Sequence, residues 1–177
     1  MDTLAGETCP VCLKKTLTLT EDEKDIPYFG KIFLFSMHCS DKECNFKQND
    51  IEAAEPKEPC KITFTTENEK DLSVRVVKSS AATIIIPQLK LEINPGAVAD
   101  GYVSNIEGIL QRFEEILKEQ KNNDEDEAAQ TTAKNLLKKI WKVKLGDIPL
   151  KIIIEDPTGN SAIISPKAVL EKMKTKR

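Results

Sequence analysis

The chain has 177 residues, 40% of them hydrophobic, with a formal net charge of −3, five cysteines and a single histidine. That length suits one domain with a small appendage, and the mildly acidic balance lacks the basic footprint of nonspecific nucleic-acid binding, so nucleic acid is not the expected partner. One histidine, His38, leaves little for histidine-based catalysis or multi-histidine metal sites, and no enzyme is expected.

In chain order, Met1–Pro10 carries no charged-then-apolar leader pattern, and nowhere is there a run of the ~20 apolar residues that span a bilayer. The expected setting is therefore the cytoplasm, with no membrane partner. Cys9-Pro10-Val11-Cys12 is the first cysteine pair, and Cys39 and Cys44 form the second, with four residues between them. Two such knuckles converging on one ion are the sequence form of a Cys₄ zinc ribbon. Thiolates are soft ligands that suit Zn²⁺, and four of them close the coordination sphere, so the ion is structural. A disulfide framework fits poorly without a secretion signal, and a redox pair does not explain the second knuckle. His38 is the alternative fourth ligand, although a neighbour of a ligand usually points away. Cys60 reads as a partly buried, inert thiol.

Leu17 and Leu19, an acidic turn, then Ile32 to Phe35 read as strand, turn and strand between the knuckles. Acidic Asp50–Pro59, with two prolines, reads as a linker out of the ribbon. Short strands are expected at Lys61–Thr65, Leu72–Val76, Thr83–Ile86 and Leu89–Ile93, separated by breakers at sandwich or barrel intervals. The period then changes. Val103, Ile106, Leu110, Phe113, Ile116 and Leu117 predict an amphipathic helix over Asp100–Lys121. Ala133, Leu136, Leu137, Ile140 and Trp141 predict a second over Ala128–Lys144, ended by Gly146. An acidic connection makes the two an αα-hairpin, at about residues 100–145. Strands return at Leu150–Ile154 and Ser161–Ile164, and Ser165-Pro166 is expected to start a short basic helix, Lys167–Lys174. The expected architecture is mainly β with an α insertion (α+β): a zinc ribbon over 1–55, then a β domain over 56–177.

These residues resemble the ZPR-type zinc-finger proteins. The likeness rests on Cys-Pro-x-Cys at 9–12, Ile26-Pro27-Tyr28-Phe29-Gly30, Val77–Ala82, Ile86–Gly96, Ile106–Leu110 and Glu155–Ala162. One module of this length looks like the archaeal form of the family. The resemblance implies a double-stranded β-helix, or jelly-roll-like, domain carrying the helical hairpin. It also implies a protein partner, translation elongation factor 1-alpha, which the eukaryotic relatives bind and help to fold. The second knuckle departs from the family pattern, which has two residues and then a glycine; here four residues separate the cysteines and Asn45 follows Cys44, so loss of the rigid turn at that knuckle is expected.

The remaining conspicuous residues have plainer readings beside functional ones. Asp156–Ser161 lacks a phosphate-loop pattern and reads as a tight connection, with Gly159 at positive φ. Lys78-Ser79-Ser80 reads as a solvated edge, and Trp141 as packing. Tyr28 and Phe29 read as ordinary burial, or as a hydrophobic contact for a protein partner. The leading expectation is a zinc-dependent binding factor or chaperone for the elongation factor. The alternative is a nucleic-acid-binding zinc ribbon of transcription or ribosome biogenesis.

Overall fold

A computed structural model describes residues 1–27, 29–55, 57–96, 99–123 and 126–173. Its N-terminal part is an antiparallel meander of β1 (Asp2–Glu7), β2 (Leu17–Ile26), β3 (Gly30–Cys39) and β4 (Lys47–Ala53). The β2–β3 ladder runs unbroken from Leu17 opposite Cys39 to Ile26 opposite Gly30. The Phe29 N–H closes the hairpin on the Ile26 carbonyl at 3.0 Å, and Gly30 takes φ +100°, a conformation that costs glycine little. Ten residues of strand span roughly 30 Å, so the cysteine end and the hairpin tip are far apart. Each end has its own apolar cluster. Cys9, Leu17 and Cys39 pack at one; Ile26, Ile32 and Ile51 pack at the other, together with Val77 from the following domain.

The expected linker is partly strand. Asp50–Ala53 belongs to β4 because Ile51 is buried where β4 pairs with β3 and the Asp50 carboxylate has donors of its own.

Among the described residues eight further strands follow: β5 (Cys60–Thr66), β6 (Arg75–Lys78), β7 (Thr83–Ile86), β8 (Leu91–Ile93), β9 (Tyr102–Asn105), β10 (Leu150–Asp156), β11 (Ala162–Ile163) and β12 (Val169–Lys172). They form two antiparallel sheets, ordered β12-β5-β10-β7-β8 and β11-β6-β9, which make the jelly-roll. Its core includes Ile62, Phe64, Val76, Ile84, Ile86, Ile152 and Ile154. β10 is buried along Ile152–Ile154, as a strand paired on both edges and covered on both faces must be.

Two expected strands begin late. Asn68 accepts the Lys70 N–H at 3.0 Å and caps a 3₁₀ turn over Glu69–Ser73, so β6 starts only at Arg75. Pro87–Leu89 is likewise 3₁₀, closed by Lys90 at φ +53°, and β8 starts at Leu91.

The helical hairpin consists of α1 (Ile106–Asn123) and α2 (Glu127–Lys144). α1 starts later than its apolar spacing suggests because residues 102–105 pair with β6 as β9. The Asn105 side chain then accepts the Gly108 N–H at 2.8 Å and caps the helix. Val103 therefore lies on a strand. α2 opens on Asp126, which accepts the Ala128 N–H at 2.9 Å. It closes with Gly146 at φ +74°, where N–H groups of Gly146 and Asp147 reach Val143 and Lys142 carbonyls at 2.9 Å each. Trp141 is not packing: it is 60% exposed, while Ala133, Ile140 and Val143 form the buried stripe.

The C-terminal basic helix is also overturned. Ser165 accepts the Lys167 N–H, and the Ala168 N–H bonds to the Ser165 carbonyl, so a single turn forms. The open edge of β5 then offers a ladder, and Val169–Lys172 pair with Thr63–Cys60 as β12. Lys174 lies outside the described residues.

Candidate metal centre

The sulfurs of Cys9, Cys12, Cys39 and Cys44 lie within 4.8 Å of one another. Cys9 and Cys44 are 3.8 Å apart and Cys12 and Cys39 3.7 Å. A tetrahedron with Zn–S arms of about 2.3 Å has edges of about 3.8 Å, so these separations fit one zinc ion. They are far too long for disulfides, whose sulfurs sit about 2 Å apart. Cys9 and Cys39 are buried, and Cys12 and Cys44 are partly covered. The four cysteines are thus placed to hold one structural zinc. His38 is exposed on β3, and Cys60 is buried on β5 away from the cluster; burial pushes its thiol up to about 11.

The local turns explain how each knuckle closes. In the first, the Leu13 N–H bonds to the Cys9 carbonyl and the Cys9 N–H to the Lys14 carbonyl, both at 2.9 Å. Leu13 pays for this with φ +59°, unusual for a branched side chain. In the second, the Asp41 carboxylate accepts the N–H groups of Glu43 at 3.0 Å and Cys44 at 3.3 Å. The Asn45 N–H returns to the Asp41 carbonyl at 2.8 Å, with Asn45 at φ +44°, a conformation asparagine tolerates. The longer spacing therefore keeps a hydrogen-bonded turn, with Asp41 reeling in the two extra residues. Lys14 bridges the knuckles through an ion pair to Asp41, which lowers the Asp41 carboxyl and raises the Lys14 ammonium.

Around the sulfurs, Thr16 Oγ1 lies 3.1 Å from Cys39 and 3.8 Å from Cys12. A Lys14 backbone hydrogen bond holds the Cys12 thiol down at about 7, while burial pushes Cys44 up to about 12, with the other three sulfurs adding to it. Four crowded thiols cannot all ionise alone. A dication among them removes that conflict, because thiolate ligation and zinc binding are one equilibrium.

Two residues at this end escaped the sequence reading. Val11 and Leu13 flank Cys12 and are 62% and 75% exposed, apolar side chains on the outside of a rigid knuckle. Their sequence signal is an apolar residue on either side of Cys12. Phe29, at the opposite end of the ribbon, packs in part against Ile26 and Ile32 and in part lines a groove of about 990 Å³ with Pro59, Ile163, Pro166 and Leu170. Lys57 Nζ sits 5.1 Å from the centre of its ring. Tyr28 lies outside the described residues.

Between ribbon and jelly-roll is a buried polar joint. Asp156 is fully buried and accepts from Ser79 Oγ at 2.8 Å, Ser161 Oγ at 2.5 Å and Thr158 Oγ1 at 2.7 Å. Asp50 on β4 accepts from the Ser80 hydroxyl at 2.7 Å, and Asn160 accepts the β4 Ala53 N–H at 3.1 Å. Lys78 is 4% exposed, its ammonium donating to the Ser79 carbonyl at 2.9 Å, and burial lowers its pKa. Lys78-Ser79-Ser80 is therefore no solvated edge. Asp156–Ser161 is the tight connection anticipated, with Gly159 at φ +74°, and its side chains fasten the joint. Among the described residues, every buried side-chain nitrogen and oxygen has a partner.

Residues 4–59 match the family model of the ZPR1 zinc-finger domain, and residues 70–177 that of the ZPR1 jelly-roll domain. The chain belongs to the ZPR1 family. A ZPR1-like protein of Methanocaldococcus jannaschii is 42% identical over 165 residues, covering 93% of this chain and 82% of that protein. One from Pyrococcus horikoshii is 39% identical, over 93% of this chain and 75% of that protein. The zinc finger chaperone zpr1 of Schizosaccharomyces pombe is 36% identical over 78% of this chain but only 30% of its own length. This chain thus corresponds to a single ZPR1 module, and about a third of the longer eukaryotic relatives. No helix among the described residues is long and apolar enough to cross a membrane.

Proposed function

We propose that this ZPR1-family protein is a non-catalytic, zinc-built binding module of the cytoplasm that attends translation elongation factor 1-alpha as that GTPase folds. Residues 1–55 are the ribbon that reaches the client, and residues 56–177 the domain that holds it. The observation that carries this reading is the pair Val11 and Leu13, exposed on a knuckle whose shape the four cysteines fix. Exposed apolar side chains on a rigid support lose little entropy on binding, and suit apolar surface that an unfinished client leaves uncovered. The name of the S. pombe relative, a zinc finger chaperone, supports the same class of role. Phe29 supplies a second contact at the groove under the hairpin tip, and Tyr28, its neighbour in sequence, is proposed as part of the same contact. Release follows when the client's native surface forms and no longer offers apolar area, so no hydrolytic step in this chain is required.

The test is capture from a cell lysate by immobilised protein, with and without a zinc chelator, followed by mass spectrometry of what is retained. Elongation factor 1-alpha recovered only from the zinc-loaded protein is the expected result. Its absence from both arms would count against the proposal.

A further inference from the structure

Helix α2 carries a surface that the chaperone reading does not use. Trp141, the single tryptophan of the chain, is 60% exposed, and Leu145 beside it is 43% exposed. At 100° per residue, Lys134 and Lys138 lie at i−7 and i−3 from Trp141, and Lys142 continues the same arc. All three lysines are exposed, and none ion-pairs among the described residues. From Ala128 to Gly146 there is no acidic residue, although the chain as a whole is net negative. The acids at the helix start, Asp126 and Glu127, lie seven or more residues before Lys134, about 10 Å along the axis. The nearby α1 carboxylate of Glu114 is engaged by Lys144 at 3.0 Å and so does not neutralise this arc.

We infer that this arc binds single-stranded RNA, with Trp141 stacking on an unpaired base and Lys134, Lys138 and Lys142 holding consecutive phosphates. Charge complementarity calls for a polyanion. Lysine is depleted in protein–protein interfaces, so three unpaired lysines around one aromatic fit a phosphate backbone better than an acidic protein. The apolar face of α2 is spent on the core, leaving only Trp141 and Leu145 outside, too narrow a stripe to seat a helix in a lipid surface. Stacking requires a base free of its partner, which RNA offers in loops and ends and a duplex does not. The three lysines span about 12 Å, the rise of three to four stacked nucleotides. This inference is independent of the elongation-factor reading.

The lone tryptophan reports on the site directly. The full zinc-loaded protein is titrated with a short oligoadenylate, and separately with the same RNA in a duplex, with polyglutamate, and with phosphatidylserine vesicles. Quenching by the single strand alone is expected, with a logarithmic salt slope of about 2 for three lysine–phosphate contacts. Replacing the lysines by Lys134→Gln, Lys138→Gln and Lys142→Gln together should flatten that slope. Anisotropy of fluorescein-labelled oligoadenylate should show Trp141→Ala weakening binding by about 5- to 100-fold. Since all four side chains are exposed, the variants should retain the parent circular dichroism spectrum. Equal binding of polyglutamate or duplex, a blue shift on vesicles, or no change of affinity in the variants would overturn the inference.

Discussion

At the scale of single residues, the most consequential side chain outside the metal centre is Asp156. It is fully buried, and three hydroxyls from two segments donate to it. Asp156→Ala strands those donors in the interior and should cost about 2–4 kcal/mol, read as a lower urea midpoint with the zinc content unchanged. Asp71 makes a pH prediction. Burial alone would raise its carboxyl, but the Glu67 backbone N–H and the Lys167 ammonium, at 2.8 and 3.1 Å, outweigh it and hold the pKa below the usual value. A depressed carboxyl stabilises the fold above the unfolded pKa of about 3.9, and that contribution disappears as pH falls through the folded value. Urea midpoints measured from pH 5 downward should therefore fall more steeply in the parent protein than in Asp71→Asn.

At the scale of elements, Gly159 shows how a connection binds two parts of the fold. Its φ is +74°, and a Cβ there would run into the Glu58 carbonyl, so backbone must move. Gly159→Ala should lose about 2–4 kcal/mol by denaturant titration, more than the positive φ alone would cost. Gly159's conformation was legible because a Pro-Thr-Gly-Asn run has few alternatives. The strands β5, β7 and β10 and the helical hairpin were legible for a similar reason, since period and breakers are local properties. What misled was local signal answered by a distant partner. Ser165-Pro166 does start a turn, but the edge of β5 takes the next residues as β12. Asp50 reads as linker and Lys78 as a solvated edge because the sequence does not show the donors and carbonyls that meet their charges across the joint. Trp141 shared the helical spacing of Ile140, and spacing alone does not tell the edge of an apolar stripe from its centre. The four cysteines were fully legible, because the chemistry that joins them is written in residue type and spacing.

For the whole molecule, the ribbon has two ends with different anchors. The hairpin tip is fixed by Ile26, Ile32 and Ile51 against Val77 and by the polar joint, whereas the cluster at the cysteine end contains ribbon residues only. Zinc removal should accordingly melt the knuckles while the joint and jelly-roll persist. Hydrogen exchange after chelation should show loss of protection at Leu17–Leu19 and Met37–Cys39, with β5 and β10 protected as before. Uniform loss across the chain would mean that the metal holds the entire fold. This division also separates the two proposed contacts, since Val11 and Leu13 sit on the cysteine knuckle and Phe29 packs at the hairpin tip.

The most direct test of the central claim, a zinc-shaped knuckle that engages a folding client, is refolding of purified elongation factor 1-alpha in the presence of this protein. The zinc-loaded protein is expected to form a complex with the refolding factor and to raise its yield. Cys39→Ser and Leu13→Asp should each abolish both effects, the second with zinc still bound. Equal complex formation by the parent, the zinc-free variant and Leu13→Asp would contradict it.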